Sequence, residues 1–205
     1  SSSDFPDFHI AGAHMTGGIV QSFKKYYYPF LPKQVEETTY SLSGGVSNTV
    51  VHDYHYNGSG YLVRHTTTGS NGVPVSSMAL YPEDFPAGTI FLDDMKNNNL
   101  LKFPIERVKY NETNGTKYIL SGQIVKYKES GKGQIDEVMD MENPGKIPMT
   151  NFKFSNRSTG ILPPAGSSTG FSPDSKYHAN LIIDSYDDAG NPNEQHKVND
   201  ISHSF

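Results

Sequence analysis

Apolar and polar residues alternate along much of this chain with a period of two, and the alternating runs are separated by Gly-, Asn- and Pro-rich punctuation. That period sends successive side chains to opposite faces of a pleated strand, so it predicts half-buried β-strands rather than helices. "VEETTYSL" and "NTVVHDYHY" read as two strands parted by a Gly44-Gly45 turn signal. "VVHDYHYNGSGYLVRHTTT" reads as a hairpin closed by Asn57-Gly58-Ser59-Gly60. A symmetric loop there sets one register. Tyr56 faces Tyr61, Tyr54 faces Val63 and His52 faces His65 on one side; His55 faces Leu62 and Asp53 faces Arg64 on the other. Asn71-Gly72 and Asn114-Gly115 mark further turns. Around the latter, "FPIERVKYNETNGTKYILSGQIVKYK" predicts a long hairpin with Glu112 opposite Lys117.

One segment breaks the period. In "YPEDFPAGTIFLDDMKNNNLL" Phe91 and Met95 fall on one helical face and the run Asn97–Asn99 ends it, which predicts one short helix near 86–97. After residue 129 the chain reads as less regular: "GKGQIDEVMDMENPGKIP" is turn-rich, and a Pro/Gly/Ser-rich long loop covers about 156–176. "KYHANLIIDSYDDAGNPNEQHKVNDISHSF" then predicts a final hairpin. Residues 1–25 are Gly-rich and irregular, and 26–205, opening on the cluster Tyr26–Tyr28, reads as one β domain. The expected fold class is all-β, built mainly of antiparallel hairpins in an extended sheet or a β-sandwich, with that single helix.

Composition agrees with this reading. Of 205 residues only 35% are hydrophobic and 19% charged, but 13 Tyr and 11 Phe supply large surfaces for burial. Tyr, Thr, Ser, Asn and Gly suit a pleated, half-wet surface better than helix packing. A net charge of −5 argues against a nucleic-acid backbone as partner. No window approaches the roughly 18 apolar residues of a membrane span. The absence of cysteine excludes thiol catalysis, disulfides and Cys-type zinc sites. The opening "SSSDFPDF" reads as an artificially cut edge or a processed start, and the closing strand-like "ISHSF" suggests that the chain is cut from something longer.

The stretch "SYDDAGNP" holds Asp187, Asp188, Gly190 and Asn191, a mixture open to three readings. A calcium loop needs oxygen ligands at alternating positions and a distal Glu, which Pro192 interrupts. A glycosidase pair needs carboxyls facing across a cleft, whereas adjacent aspartates on a turn point apart. Gly and Asn tolerate positive φ and Asp caps its own backbone, so a tight turn is the favoured reading. Among the histidines, His52 and His55 point to opposite faces of a strand, whereas His52 and His65 share one and are weak metal candidates without an evident third ligand. No nucleophile elbow, phosphate loop or dinucleotide fingerprint occurs, and no cofactor or catalytic residue is expected. Tyr54, Tyr56 and Tyr61 are candidates for a sugar-stacking platform; the alternative is cross-strand packing within the sheet.

"YNGSGYL" (Tyr56 to Leu62) and "YDDAGNP" (Tyr186 to Pro192) share the form Tyr-Asn/Asp-x-x-Gly. With "YPEDF", "NNNLLKFPIERVKY" and "LSGQIVKYK" between them, in that order, they resemble the RHS/YD-repeat family of large bacterial secreted or cell-envelope proteins, in the section before the core repeats. The resemblance covers roughly residues 25–205. It implies an RHS-like sheet in which tyrosine-rich hairpins add edge to edge, and a scaffold or encapsulation role, around a toxin in some members. Tyr56, Gly60, Tyr186, Asp187, Gly190 and Asn191 would then be structural positions, and the partners would be neighbouring repeats of the same polypeptide. Two departures stand beside it. Only two motif copies occur, about 130 residues apart, and the first carries Asn57 where the family has Asp. The resulting expectation is a non-enzymatic scaffold segment of a secreted or surface protein; the alternative is a carbohydrate- or protein-binding module using exposed tyrosines.

Overall fold

The computed structural model describes residues 31–40, 46–130, 132–141, 145–157, 170–198 and 203–204. The chain divides into Ser1–Pro32 and Lys33–Phe205, and the architecture below is that of the second unit. The expectations for residues 1–25, for Tyr26–Tyr28, for Gly44-Gly45 and for most of the 156–176 loop lie outside the described residues.

Eleven strands form one antiparallel sheet. They are β1 (Gln34–Tyr40), β2 (Val46–Tyr56), β3 (Leu62–Thr68), β4 (Pro74–Leu80), β5 (Glu106–Thr113), β6 (Thr116–Tyr127), β7 (Ile135–Met141), β8 (Ile147–Pro148), β9 (Tyr177–Tyr186), β10 (Pro192–Lys197) and β11 (His203–Ser204). The order across the sheet is β1-β2-β3-β4-β5-β6-β7-β9-β10-β11, with β8 paired to part of β6. The fold is therefore mostly antiparallel β, as the alternation predicts, and the described strands lie in a single sheet rather than in two packed ones. The predicted helix is α1 (Ile90–Asn97). Its buried face is Phe91, Leu92 and Met95, and the chain leaves it through Asn99 at φ 55°, with the Leu100 N–H donating back to the Met95 carbonyl at 2.8 Å.

The core lies on one face of the central strands. Met78 and Leu80 of β4, Val108 and Tyr110 of β5, Ile119 and Ile124 of β6, and Tyr177 of β9 pack with Phe91, Leu92 and Met95 of α1. The segment 149–157, which no periodicity announced, closes the rest with Met149, Phe152 and Phe154; the two phenylalanines meet edge to face at 5.1 Å. At the centre, Gly122 of β6 leaves room for the Tyr177 hydroxyl and the Met141 sulfur, and a Cβ there would overlap both. Along β1, by contrast, nearly every residue is exposed. The sheet is held by side-chain packing in its middle and largely by its backbone ladder at that flank.

Two sequence expectations are corrected. Residues 135–141 form β7 rather than a turn-rich stretch. The acidic residues that disguise this strand are matched by partners on β6 and just beyond its end: Lys126 Nζ lies 2.5 Å from Glu137, Lys128 Nζ 3.0 Å from Asp136, and Gln123 donates to Asp140 at 3.1 Å. The β2–β3 register also differs. Tyr54 faces His65, His52 faces Thr67, Asp53 faces Thr66, His55 faces Arg64 and Tyr56 faces Leu62, with a bulge between His55 and Tyr56. Beyond the bulge the strands are slid by two residues from the symmetric register, so their side chains keep their faces but change partners. Asp53 accepts from Gln34 at 2.8 Å instead of pairing with Arg64, which meets the His55 ring at 2.6 Å. The β5–β6 register next to the turn, in contrast, is the predicted one, with Glu112 opposite Lys117, and it shifts by one residue only at a bulge between Lys109 and Tyr110.

Candidate functional site

The two Tyr-Asn/Asp-x-x-Gly copies adopt the same turn. In the first, the Asn57 N–H donates to the Tyr61 carbonyl at 3.0 Å and the Gly60 N–H to the Asn57 carbonyl at 3.0 Å. In the second, the Asp187 N–H donates to the Asn191 carbonyl at 2.9 Å and the Gly190 N–H to the Asp187 carbonyl at 3.0 Å. The residue after the glycine donates its N–H to the Asn or Asp side chain, at 2.8 Å from Tyr61 and 2.7 Å from Asn191. Gly60 at φ 82° and Gly190 at φ 86° occupy the left-handed region that L side chains avoid. In each turn the backbone carbonyl of the Asn or Asp accepts from the glycine N–H, and its side-chain oxygen accepts from the residue that follows the glycine. Asn57 and Asp187 are thus equivalent acceptors. The Asn191 amide, side chain first and then backbone, holds the Asp187 carboxyl below its usual range. Asp187 is a turn residue, in keeping with the favoured reading of "SYDDAGNP".

The motif tyrosines are positioned differently. Tyr186 is half-buried and its hydroxyl donates to the Ile135 carbonyl at 2.7 Å, tying the turn's approach strand to β7. Tyr56 is also half-buried. Tyr61 tilts against Tyr81, ring centroids 5.2 Å apart, and the Tyr81 hydroxyl donates to the Leu62 carbonyl at 3.0 Å. Tyr54 stacks on His65, with centroids at 4.7 Å and planes within 8°. Tyr54, Tyr56 and Tyr61 are therefore half-buried side chains, and two of them have ring partners rather than forming one free flat platform.

On the sheet face opposite the core, the register aligns Tyr54, His65, Ser77, Lys109 and Ser121 in one row and Ala79, Arg107, Gln123 and Asp140 in the next. A groove of about 480 Å³ runs over these rows. The two carboxylate oxygens of Asp140 accept from Gln123 at 3.1 Å and from Asn180 at 2.6 Å. Neither Arg107 nor Lys109 has an ion-pair partner among the described residues, and both are exposed. Charge and hydrogen-bonding capacity on this face are thus available to a ligand or a further protein layer. At its β2–β3 end, His52 Nδ1 and His65 Nε2 are 3.1 Å apart, so the two weak metal candidates do meet, diagonally rather than face to face. Among the described residues no group of three His, Cys, Asp or Glu side chains converges.

A titratable group that the sequence did not single out is Glu106, at the start of β5 and 1% exposed. It accepts from the Ser155 N–H at 2.7 Å, the Ser155 hydroxyl at 2.6 Å and the Tyr177 hydroxyl at 2.7 Å. Burial pushes its carboxyl above the usual range against the pull of these donors, and burial together with Glu106 pushes the Tyr177 hydroxyl up strongly. Its oxygens are occupied by protein donors, so the cluster anchors segment 149–157 and β9 to β5. The signal that could have revealed it is the charged residue in the apolar alternation Ile105-Glu106-x-Val108-x-Tyr110.

Compared with protein-family models and with curated protein sequences, the chain matches none.

Proposed function

We propose that this chain is a non-enzymatic structural segment of a larger secreted or cell-surface YD-repeat protein, with a scaffold or encapsulation role. The observation that carries the reading is the shared turn at Asn57–Tyr61 and Asp187–Asn191, each closing a hairpin of one continuous sheet. A Tyr-Asn/Asp-x-x-Gly unit that specifies its own turn is a module that can be repeated, and hairpins of this kind extend a sheet by edge addition. Strand β1, the last strand on its side of the sheet among the described residues, offers such an edge. The test is the mass and sequence of the polypeptide as produced from its own gene. The expected result is a longer chain with further Tyr-Asp-x-x-Gly units at about 20-residue spacing; a polypeptide without such units overturns the reading.

A second reading is supported by the open sheet face. Its groove, with Arg107 and Lys109 lacking an ion-pair partner among the described residues and lying beside Ser77, Ser121 and Gln123, suits a carbohydrate or protein ligand rich in hydrogen-bonding groups. Tyr54→Ala separates the two. Loss of cooperative unfolding favours the scaffold, whereas loss of a glycan or protein ligand with unfolding unchanged favours the binding module.

A further inference from the structure

We propose that His52 and His65 form a two-imidazole site for a divalent transition-metal ion of the zinc and copper class. The pair is set by two strands. His52 lies on β2 opposite Thr67, and His65 lies on β3 opposite Tyr54, so the bulge beside Tyr56 makes the histidines diagonal neighbours. His52 Nδ1 and His65 Nε2 are 3.1 Å apart, with the ring planes within 13°. The Thr67 hydroxyl completes a triangle, 3.4 Å from each nitrogen. An ion bonded to imidazole nitrogens at about 2.0–2.1 Å in tetrahedral geometry asks for ligand atoms about 3.3 Å apart. The three donor atoms already lie within a few tenths of that separation. In the metal-free protein, one imidazole N–H fills the gap by donating to the other nitrogen.

A second observation points the same way. His52 Nε2 is buried and has no hydrogen-bond partner among the described residues, and the Glu37 carboxylate of β1 lies 3.9 Å from it. With a cation on Nδ1, the ring's remaining proton sits on Nε2, and its increased positive character faces Glu37. That is the arrangement in which a carboxylate behind a histidine strengthens its metal bond. The stacking of Tyr54 on His65 holds the second ring in place. Imidazole ligands select zinc and copper over magnesium and calcium. With two imidazoles and Thr67 as donors, the remaining coordination is left to water.

The test is calorimetric titration of zinc(II) into the purified protein, followed by histidine-ring NMR. The expected result is a saturable event of one ion per chain that perturbs the His52 and His65 ring resonances. It is lost in His52→Gln and in His65→Gln, and kept in His55→Gln, whose ring is exposed and engaged with Arg64. Glu37→Gln weakens binding by about tenfold. Magnesium(II) in place of zinc(II) gives no event. No binding heat, or binding that survives both glutamine variants, overturns the site and leaves a hydrogen-bonded pair of structural histidines. Should either variant fail to fold, the ring resonances of the unaltered protein decide: zinc must move His52 and His65 together, and movement confined to other histidines overturns the proposal.

Discussion

The hairpins β2–β3 and β5–β6 both turn on an Asn-Gly dipeptide, yet they turn differently. In β5–β6, Asn114 at φ 52° and Gly115 at φ 74° form a two-residue loop, and the strands leave it in the symmetric register, Glu112 opposite Lys117. In β2–β3, Asn57 begins the turn and uses its side chain as an acceptor, and the later Gly60 takes the left-handed conformation. The loop consumes one more residue and the register slides. The dipeptide alone does not select the turn; in β2–β3 a second glycine two positions on takes the left-handed site, and the Asn57 side chain accepts from the Tyr61 N–H. The surroundings differ as well. Strand β6 contributes Ile119 and Ile124 to the closed core, whereas every side chain of β3 is half-buried or exposed.

This contrast can be broken most strongly in the core. Ile124→Ala in the central hairpin is expected to cost about 3 kcal/mol, and Val63→Ala in the flanking hairpin at most about 1 kcal/mol, measured by urea unfolding. Comparable losses would mean that the flank is covered as tightly as the centre. Next come the turn glycines. Gly60→Ala is expected to cost about 1–2 kcal/mol because φ is positive there. Gly58→Ala, with nothing within 4 Å of the added carbon, should stay within about 0.5 kcal/mol. Equal costs would contradict the assignment of the left-handed position to Gly60.

A smaller effect separates the hairpins by pH. Glu106 belongs to the central one, and its carboxyl is raised in the fold above its ordinary value of 4.5. The folded chain then holds this proton more tightly than the unfolded chain. Its contribution is most favourable below pH 4.5, declines as pH rises toward the folded value, and levels off above it. Glu106→Gln should flatten that part of the curve of melting temperature against pH; an unchanged slope would show that another group is responsible. The smallest effect compares the two motif turns. Asp187 is held below its ordinary 3.8, so what it contributes is present above that value and fades as pH falls through the depressed one. The Asn191 amide resonance should titrate on acidification, while that of Tyr61, bonded to the uncharged Asn57, should not follow the same curve.

Several of these features were legible in the chain because they are local. The Asn114-Gly115 hairpin, the end of α1 at Asn97–Asn99 and the turn character of Asp187 each depend on residues within a few positions of one another. Strand β7 was obscured because Asp136, Glu137 and Asp140 resemble a solvated stretch until Lys126, Lys128 and Gln123 are brought alongside. Glu106 was hidden for a related reason: its three donors come from Ser155 and Tyr177, 49 and 71 residues away. The meeting of His52 and His65 was anticipated from the wrong register and survived its correction, because a slide of two residues preserves the face on which a side chain lies.

The sequence by itself determined the antiparallel β character, the one short helix and the two Asn/Asp-x-x-Gly turns, since alternation and turn chemistry act over a few residues. Only the tertiary structure decided the single-sheet arrangement of the described strands, the closure of the core by Phe152 and Phe154, and the burial of a carboxyl at Glu106. Those outcomes depend on which distant strands and segments become neighbours, and pairing across such separations leaves no periodic trace in the chain.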